Sequence, residues 1–463
     1  MIATSSVQTL KASLSGEVIL PGDSGYETAR KVYNGMIDRK PGIIVKCANE
    51  NDVIAAVRFG RAENLLIAIR GGGHNGGGLG ICDDGLVIDL SLLKFVRVDP
   101  VKKIALVGGG CTWADVDKAT HEHGLATPSG IIATTGVGGL TLGGGLGHLT
   151  RHYGLSIDNL LAADVVLADG ELVHASKDEN ADLFWALRGG GGNFGVVVSF
   201  TFQLHPVHTV FAGPMLWEMD KAEAILKWYR TFITEAPEDL NGFFAFLVVP
   251  PGPPFPENLH MKTMCGIVWA YTGPIEKAEE VFGPIRDQWK PILDLVGPIP
   301  HPALQSMFDE LYVPGLQWYW KADYVNELSE EAIAEHLKYG AELPSLYSTM
   351  HLYPINGKAG RVGKNDTAWS YRESTWAQVI VGVDPDPANK EKITQWAKDY
   401  WAAMHPHSAG GAYINFMMDE GQDRIRATYR DNYDRLLAVK MKYDPLNVFR
   451  VNQNIRPVVE EVL

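Results

Sequence analysis

The sequence is short of several features that would each point to a class of protein. It has four cysteines, Cys47, Cys82, Cys111 and Cys265, none at CxxC spacing. That excludes a disulfide framework or a zinc ribbon as the organising device. Basic residues are the minority, 41 against 55 acidic, for a formal charge of −14. The basic face that nucleic acid or an anionic membrane requires is therefore not indicated. No run approaches the ~18 apolar residues of a membrane-spanning helix. The opening stretch MIATSSVQTLKASLSG has no basic start followed by an apolar run, so a signal peptide is not expected and the expected location is cytoplasmic. His121 and His123 have no third ligand nearby in the sequence; they are expected to be exposed helix residues, and no metal is expected.

Glycine and tryptophan are abundant, with 49 and 12 residues in a chain of 463. The length implies about two to three domains. The first ~205 residues alternate strands and helices: IIVKCA, then a helix over ENDVIAAVRFGRAENL that Asn51 or Asp52 can cap, then LLIAIR. GLVIDL, KFVRVDP and KIALVGGG follow as strands, and TWADVDKATHEHG as a helix ended at Gly124. From Val207 the pattern changes to longer apolar or alternating strands, FFAFLVV, MKTMCGIVWAY, YSTMHLYPI and WAQVIVGV, with charged-faced helices between them. This predicts an antiparallel sheet covered by helices on one side. Past Gly410 the chain is polar and helical again. The fold class is α+β.

The glycines cluster in four runs: RGGGHNGGGLG at 70–80, GGG at 108–110, GVGGLTLGGGLG at 136–147 and RGGGGNFGVV at 188–197. Glycine lets backbone N–H groups approach a ligand closely, and successive N–H groups form anion-binding nests. A diphosphate is the expected ligand. No run continues into GK[ST], so none is a P-loop. Gly71, Gly73 and Gly76 fit GxGxxG, but His74 and Asn75 within it do not suit a dinucleotide-binding helix start.

These runs, with PSG at 128–130, RHYGLSIDNL at 151–160, DLFWALRGGGGNFGVV at 182–197, YIN at 413–415, NYDRLLAVKMKYDP and FRVNQNI at 449–455, resemble the berberine-bridge-enzyme-like FAD-linked oxidases of the vanillyl-alcohol-oxidase/PCMH superfamily. The resemblance covers essentially the whole chain in the family's order. It implies a two-lobed PCMH-type FAD-binding domain over 1–206 (core about 38–206), a substrate domain over 207–408, and a C-terminal segment, 409–463, returning to the first domain. Arg70, Gly71, Gly72, Gly73, His74 and Asn75 would then face FAD. So would Thr134, Thr135, Gly136, Gly138 and Gly139, then Gly143, Gly144, Gly192, Asn193 and Val197, and finally Asn452 and Asn454. The family's histidine of RxGGH, which often carries the flavin 8α-methyl, is His74 here. Its second anchor, a cysteine, corresponds to Ile132, so FAD is expected to be mono-covalent. Cys111 is out of register and is expected to be a buried small residue. Thr135 stands at the family's oxygen-gating position, and its small size favours an oxidase that gives H2O2 over a dehydrogenase using another acceptor.

The resemblance implies hydride transfer from a substrate C–H to the flavin, with a base taking the partner proton. Tyr413 and Asn415, two apart in the strand-like AYINF, are expected on one face and are first candidates. Asn452 and Asn454 should likewise share a face. In YSTMHLYPI, Thr349, His351 and Tyr353 fall on one side; His351 and Tyr353 are further catalytic candidates. LQWYWKADY offers Gln317, Tyr319 and Lys321 on one face. The expected substrate is a small alcohol, amine or phenol. The alternatives are a carbohydrate oxidised at its anomeric hydroxyl, and a non-catalytic binding protein on the same scaffold. The oligomeric state is not readable.

Overall fold

The structure is a computed structural model that describes residues 4–457. The outer ends of the two flanking segments, residues 1–3 and 458–463, lie outside the described residues. The first part of the chain builds two sheets. In one, Ile43–Lys46, Leu86–Asp89 and Ile67–Arg70 run parallel, with Glu17–Ile19 antiparallel at the edge. All three parallel strands are nearly continuous apolar runs, as strands covered on both faces require. The helix Glu50–Ala62 packs on them. Its cap is Asn49, whose side chain accepts from the Asp52 N–H, and neither Asn51 nor Asp52 serves as the cap. Asp52 lies inside the first turn, buried, accepting from the Ser15 and Ala48 N–H groups instead.

The second sheet is antiparallel, in the order Val96–Asp99, Ile104–Gly108, Val196–Gln203, Leu160–Val166, Leu172–Ser176. From residue 209 the chain forms one large antiparallel sheet. Its centre runs Thr209–Glu218, Thr263–Tyr271, Leu240–Val248, Thr349–Pro354, Trp376–Asp384, Gln317–Val325. Alternation along these strands divides the core in two. Phe244, Phe246, Met350, Leu352 and Ile380 pack under the helices Ala222–Glu235, Glu330–Ala341 and Lys390–Met404. Phe243, Ala245, Tyr353, Val379 and Val381 point the other way and join the core of the first part of the chain. The sheet's uncovered face is thereby closed by the glycine-rich half, and the site lies at that junction. The helix Tyr433–Tyr443 then packs back on Ala181–Leu187. Among the described residues no helix is long and apolar enough to cross a membrane.

Candidate active site

Two glycine runs meet backbone to backbone at the junction. A Cβ on Gly72 would lie 2.4 Å from the Gly136 nitrogen, and one on Gly136 would lie 2.3 Å from the Gly72 nitrogen. Any side chain at either position would force the loops apart. Among the described residues, no backbone N–H from Gly71 to Asn75 donates to a protein acceptor. Unpaired N–H groups in series are a nest awaiting an anion or water. They border a cavity of about 330 Å³.

Gly71, Gly72, Gly73, His74 and Asn75 form one wall, and Thr135, Gly136, Gly138 and Gly139 a second. Gly192, Asn193 and Val197 form a third, closed by Asn452. Arg70 borders the cavity too, but its guanidinium is buried and paired with Asp89 at 2.6 Å. Four expected residues do not line it. Thr134 stands behind His74, its hydroxyl 3.2 Å from Nε2. Gly143 and Gly144 back onto Asn415 and onto Tyr413 and Trp369. Asn454 is replaced at the wall by Gln453, because 451–453 form a bend and residues two apart no longer share a face. Asn193 is held by the C-terminal segment. Its carbonyl accepts from the fully buried Lys440, whose ammonium also meets Asp444 at 2.5 Å and the Phe449 carbonyl. The sequence reading had passed over Lys440.

His74 sits at the cavity edge. Its ring stacks on Tyr33 with centroids 3.8 Å apart, and Nδ1 lies 3.4 Å from the Thr135 hydroxyl. Loss of hydration pushes its pKa down to about 4, so the imidazole is neutral at physiological pH and one ring nitrogen carries a lone pair, facing a threonine hydroxyl. Ile132 lines the cavity where a second anchor would stand, and among the described residues no cysteine does. Cys111 is fully buried elsewhere, as expected. His123 is exposed, but His121 is half-buried and stacks on His208; among the described residues no metal-binding cluster occurs.

The far end of the cavity is formed by the large sheet. Thr349, His351 and Tyr353 all face it from one strand. The Tyr353 hydroxyl and His351 Nδ1 lie 2.6 Å apart, and burial lowers the His351 pKa to about 3 while raising that of Tyr353 well above 10. On the strand Gln317–Val325 the face of Gln317, Tyr319 and Lys321 is not the one that lines the cavity. Trp318 and Trp320 line the cavity. Tyr319 packs on the helix side, and Lys321 turns there to meet Glu420 and lie over Trp401. Helices cover that side, so the one-face rule held but the other phase of it faces the site. Tyr312 and Phe416 complete an aromatic wall.

Tyr413 and Asn415 do meet, though not as strand neighbours: Ile414–Phe416 is a turn of 3₁₀ helix. The Tyr413 hydroxyl accepts from the Gly145 N–H and from Asn415 Nδ2, both at 2.8 Å. Those donors favour a phenolate, but burial is the larger effect and pushes the pKa up to about 12. The phenol keeps its proton at neutral pH, and with both lone pairs engaged it can only donate.

Residues 41–176 match the family described as FAD binding domain, and residues 412–456 the family described as berberine and berberine like. An FAD-linked oxidoreductase of Dictyostelium discoideum is 31% identical over 98% of both chains. The (R)-6-hydroxynicotine oxidase of Paenarthrobacter nicotinovorans is 29% identical over 96% of this chain and 97% of its own. The solved 6-hydroxy-D-nicotine oxidase of Arthrobacter nicotinovorans matches with a TM-score of 0.87 at 26% identity, covering 99% of this chain and 100% of that one.

Proposed function

We propose, for this chain, which belongs to the berberine-bridge-enzyme-like family of FAD-linked oxidoreductases, that it is an oxidase with FAD tethered through His74. Its substrate would be a small uncharged aromatic alcohol, amine or phenol. The observation that carries the reading is the neutral His74 imidazole stacked on Tyr33 at the rim of the 71–75 glycine loop, where among the described residues no backbone N–H donates to a protein acceptor. The fit to a flavin dinucleotide is supported by those N–H groups, by the open space at Gly139 and Gly192, and by the Asn452 side-chain oxygen, which is buried without a partner. When bound, the flavin supplies a two-electron acceptor and passes the electrons to dioxygen as H2O2.

The protein residues would do the rest. The nest from Gly71 to Asn75 would bind the diphosphate. Trp318, Trp320, Tyr312 and Phe416 would hold a flat substrate by stacking and exclude water. Among the described residues, Arg70 is the one Lys, Arg, Asp or Glu side chain on the wall, and it is paired with Asp89, so a charged substrate would enter unpaired, which is unfavourable. Tyr413, limited to donating, would orient a substrate oxygen or nitrogen. Tyr353 would accept the substrate proton while passing its own to His351 Nδ1. Holding that proton at pH 7 costs about 1.4 kcal/mol per pH unit below neutrality, about 5 kcal/mol in all.

The test is direct. Purified protein should be yellow, the colour should stay with the acid-precipitated chain, and His74→Ala should release it. Peroxide formation across a panel of phenols, benzylic alcohols, cyclic amines and sugars then identifies the substrate class. A colourless protein, or turnover of sugars alone, would overturn the reading.

A further inference from the structure

Tyr33, Asn34 and the turn that carries Thr134 and Thr135 surround the His74 loop, and each is fastened to the same distant segment, residues 309–318. The Tyr33 ring stacks on the imidazole at an interplanar angle of 19°, and its hydroxyl donates to the Tyr312 carbonyl. The next residue, Asn34, is 1% exposed and uses every donor and acceptor it has. Nδ2 donates to the Gly76 carbonyl at 2.8 Å and the Trp318 carbonyl at 3.0 Å. Oδ1 accepts from the Trp318 N–H at 3.1 Å and the Met36 N–H at 2.9 Å. Backbone bonds extend the seam, from the Gly35 N–H to Leu316 and from the Gly315 N–H to Tyr33. On the other side of the imidazole, the turn that brings the Thr134 and Thr135 hydroxyls to the two ring nitrogens is held by Asp309, which accepts from the Ala133 N–H at 3.0 Å.

Residues 33–35 thus lie between the His74 loop and the strand that carries Trp318 and Trp320. A ring held on one face by Tyr33 and at both nitrogens by hydroxyls has one orientation. The same bonds fix where the aromatic wall stands relative to it.

We propose that Tyr33 and Asn34 are positioning residues that orient the His74 imidazole for bonding to the flavin, and that their bonds to Tyr312 and Trp318 make this attachment depend on the docked 309–318 segment. The proposal rests on the His74 tether. In the attachment the imidazole N–H and one 8α-methyl C–H are replaced by a C–N bond. The two electrons and two protons released reduce the isoalloxazine ring, from which dioxygen takes them as H2O2. The chain's contribution is a neutral nitrogen held at attack distance, and misplacing such a group by about 1 Å costs on the order of 10²-fold in rate.

The experiment measures the covalent share of bound flavin: absorbance retained by the acid-precipitated chain divided by total flavin in the same purified holoenzyme. Tyr33→Leu, Asn34→Ala and Asp309→Ala should each slow attachment by about 10²-fold, so that most bound flavin becomes releasable. Tyr33→Phe, which keeps the stacked ring but loses the bond to the Tyr312 carbonyl, should give a covalent share between those of wild type and Tyr33→Leu. A purely structural role would lower the melting temperature and total flavin but leave the covalent share of what is bound unchanged, and that result overturns the proposal. Asp309 sits in a half-buried loop, so its variant reports even if Asn34→Ala does not fold. If the wild-type chain itself releases all its flavin, the tether fails and the clasp with it, a pattern distinct from a tethered wild type with tethered variants.

Discussion

Stability should fall steeply between pH 6.5 and pH 5, because of two buried histidines that do not line the cavity. His148 and His336 are at most 2% exposed, and burial lowers both pKa values from 6.5 to about 3. Above pH 6.5 each is neutral in both folded and unfolded chains and nothing is lost. As the pH falls below 6.5 the unfolded chain takes up protons that the folded chain refuses, so stability drops until about pH 3. At pH 5 the loss is 1.5 pH units at ~1.4 kcal/mol each, about 2 kcal/mol per histidine and about 4 kcal/mol for the two. His74, His351 and His205 are lowered too, to about 4, 3 and 4, but each is only partly shielded from solvent and adds a smaller loss of the same sign. The buried pair Asp117 and His301 adds little. The Asp117 carboxyl is raised to about 8 and gains stability on acidification, while His301, lowered to about 4, loses a nearly equal amount. A loss of about 4 kcal/mol is a large part of a typical folding free energy. Urea unfolding at pH 7, 6 and 5, followed by tryptophan emission, measures it. His336→Gln, which can keep the bond to the Tyr400 hydroxyl, should remove up to about half of the slope. Stability that is flat or rises from pH 7 to pH 5, or a slope that His336→Gln leaves unchanged, would refute the reasoning.

Lys440→Met strands the Asp444 carboxylate in the core and frees the Asn193 carbonyl; it should cost about 3–5 kcal/mol, read by thermal unfolding, and should loosen flavin retention. Gly143→Ala would place a Cβ 2.2 Å from the Asn415 side-chain oxygen, displacing Asn415 from Tyr413; turnover should fall by about 10²-fold while circular dichroism is unchanged. Tyr353→Phe should lower the turnover number by on the order of 10²–10⁴, the range for a lost acid–base group, with little effect on KM, whereas Tyr413→Phe should act mainly on KM.

The fold class and the glycine walls were legible because their signals are local. A strand that ends in RGGGHNGGG is followed by glycines because two backbones must touch, and that constraint is written at Gly72 and Gly136 themselves. Strand phases were legible as alternation, and so Thr349, His351 and Tyr353 fall together. Which phase faces the cavity was not legible. On Gln317–Val325 nothing local separates the set Gln317, Tyr319 and Lys321 from the set Trp318 and Trp320. The covering helices decide the matter, and they are remote in sequence. Lys440 and Asp444 read as an ordinary i,i+4 surface pair, since nothing local announces that the Asn193 and Phe449 carbonyls will enclose them. Tyr33 is a single aromatic in an irregular segment, and its hydroxyl partner is 279 residues away.

The carboxyl-end motif shows how a correct residue choice can rest on an incorrect geometry. Tyr413 and Asn415 were paired by strand alternation and are in fact paired across a 3₁₀ turn, and the difference bears on their chemistry. Side chains two apart on a strand would both project freely into the cavity, leaving the phenol as a candidate base. On the turn, Asn415 folds back and donates to the Tyr413 hydroxyl, the Gly145 N–H takes the second lone pair, and burial holds the proton on. The hydroxyl is thereby fixed as a donor. In the proposed reaction the proton acceptor would then come from the large sheet, where the neutral His351 stands 2.6 Å from the Tyr353 hydroxyl. Donor and acceptor in that reading arise from the C-terminal segment and the large sheet, which share no local sequence, so the division of labour between them could be read only once the two had met.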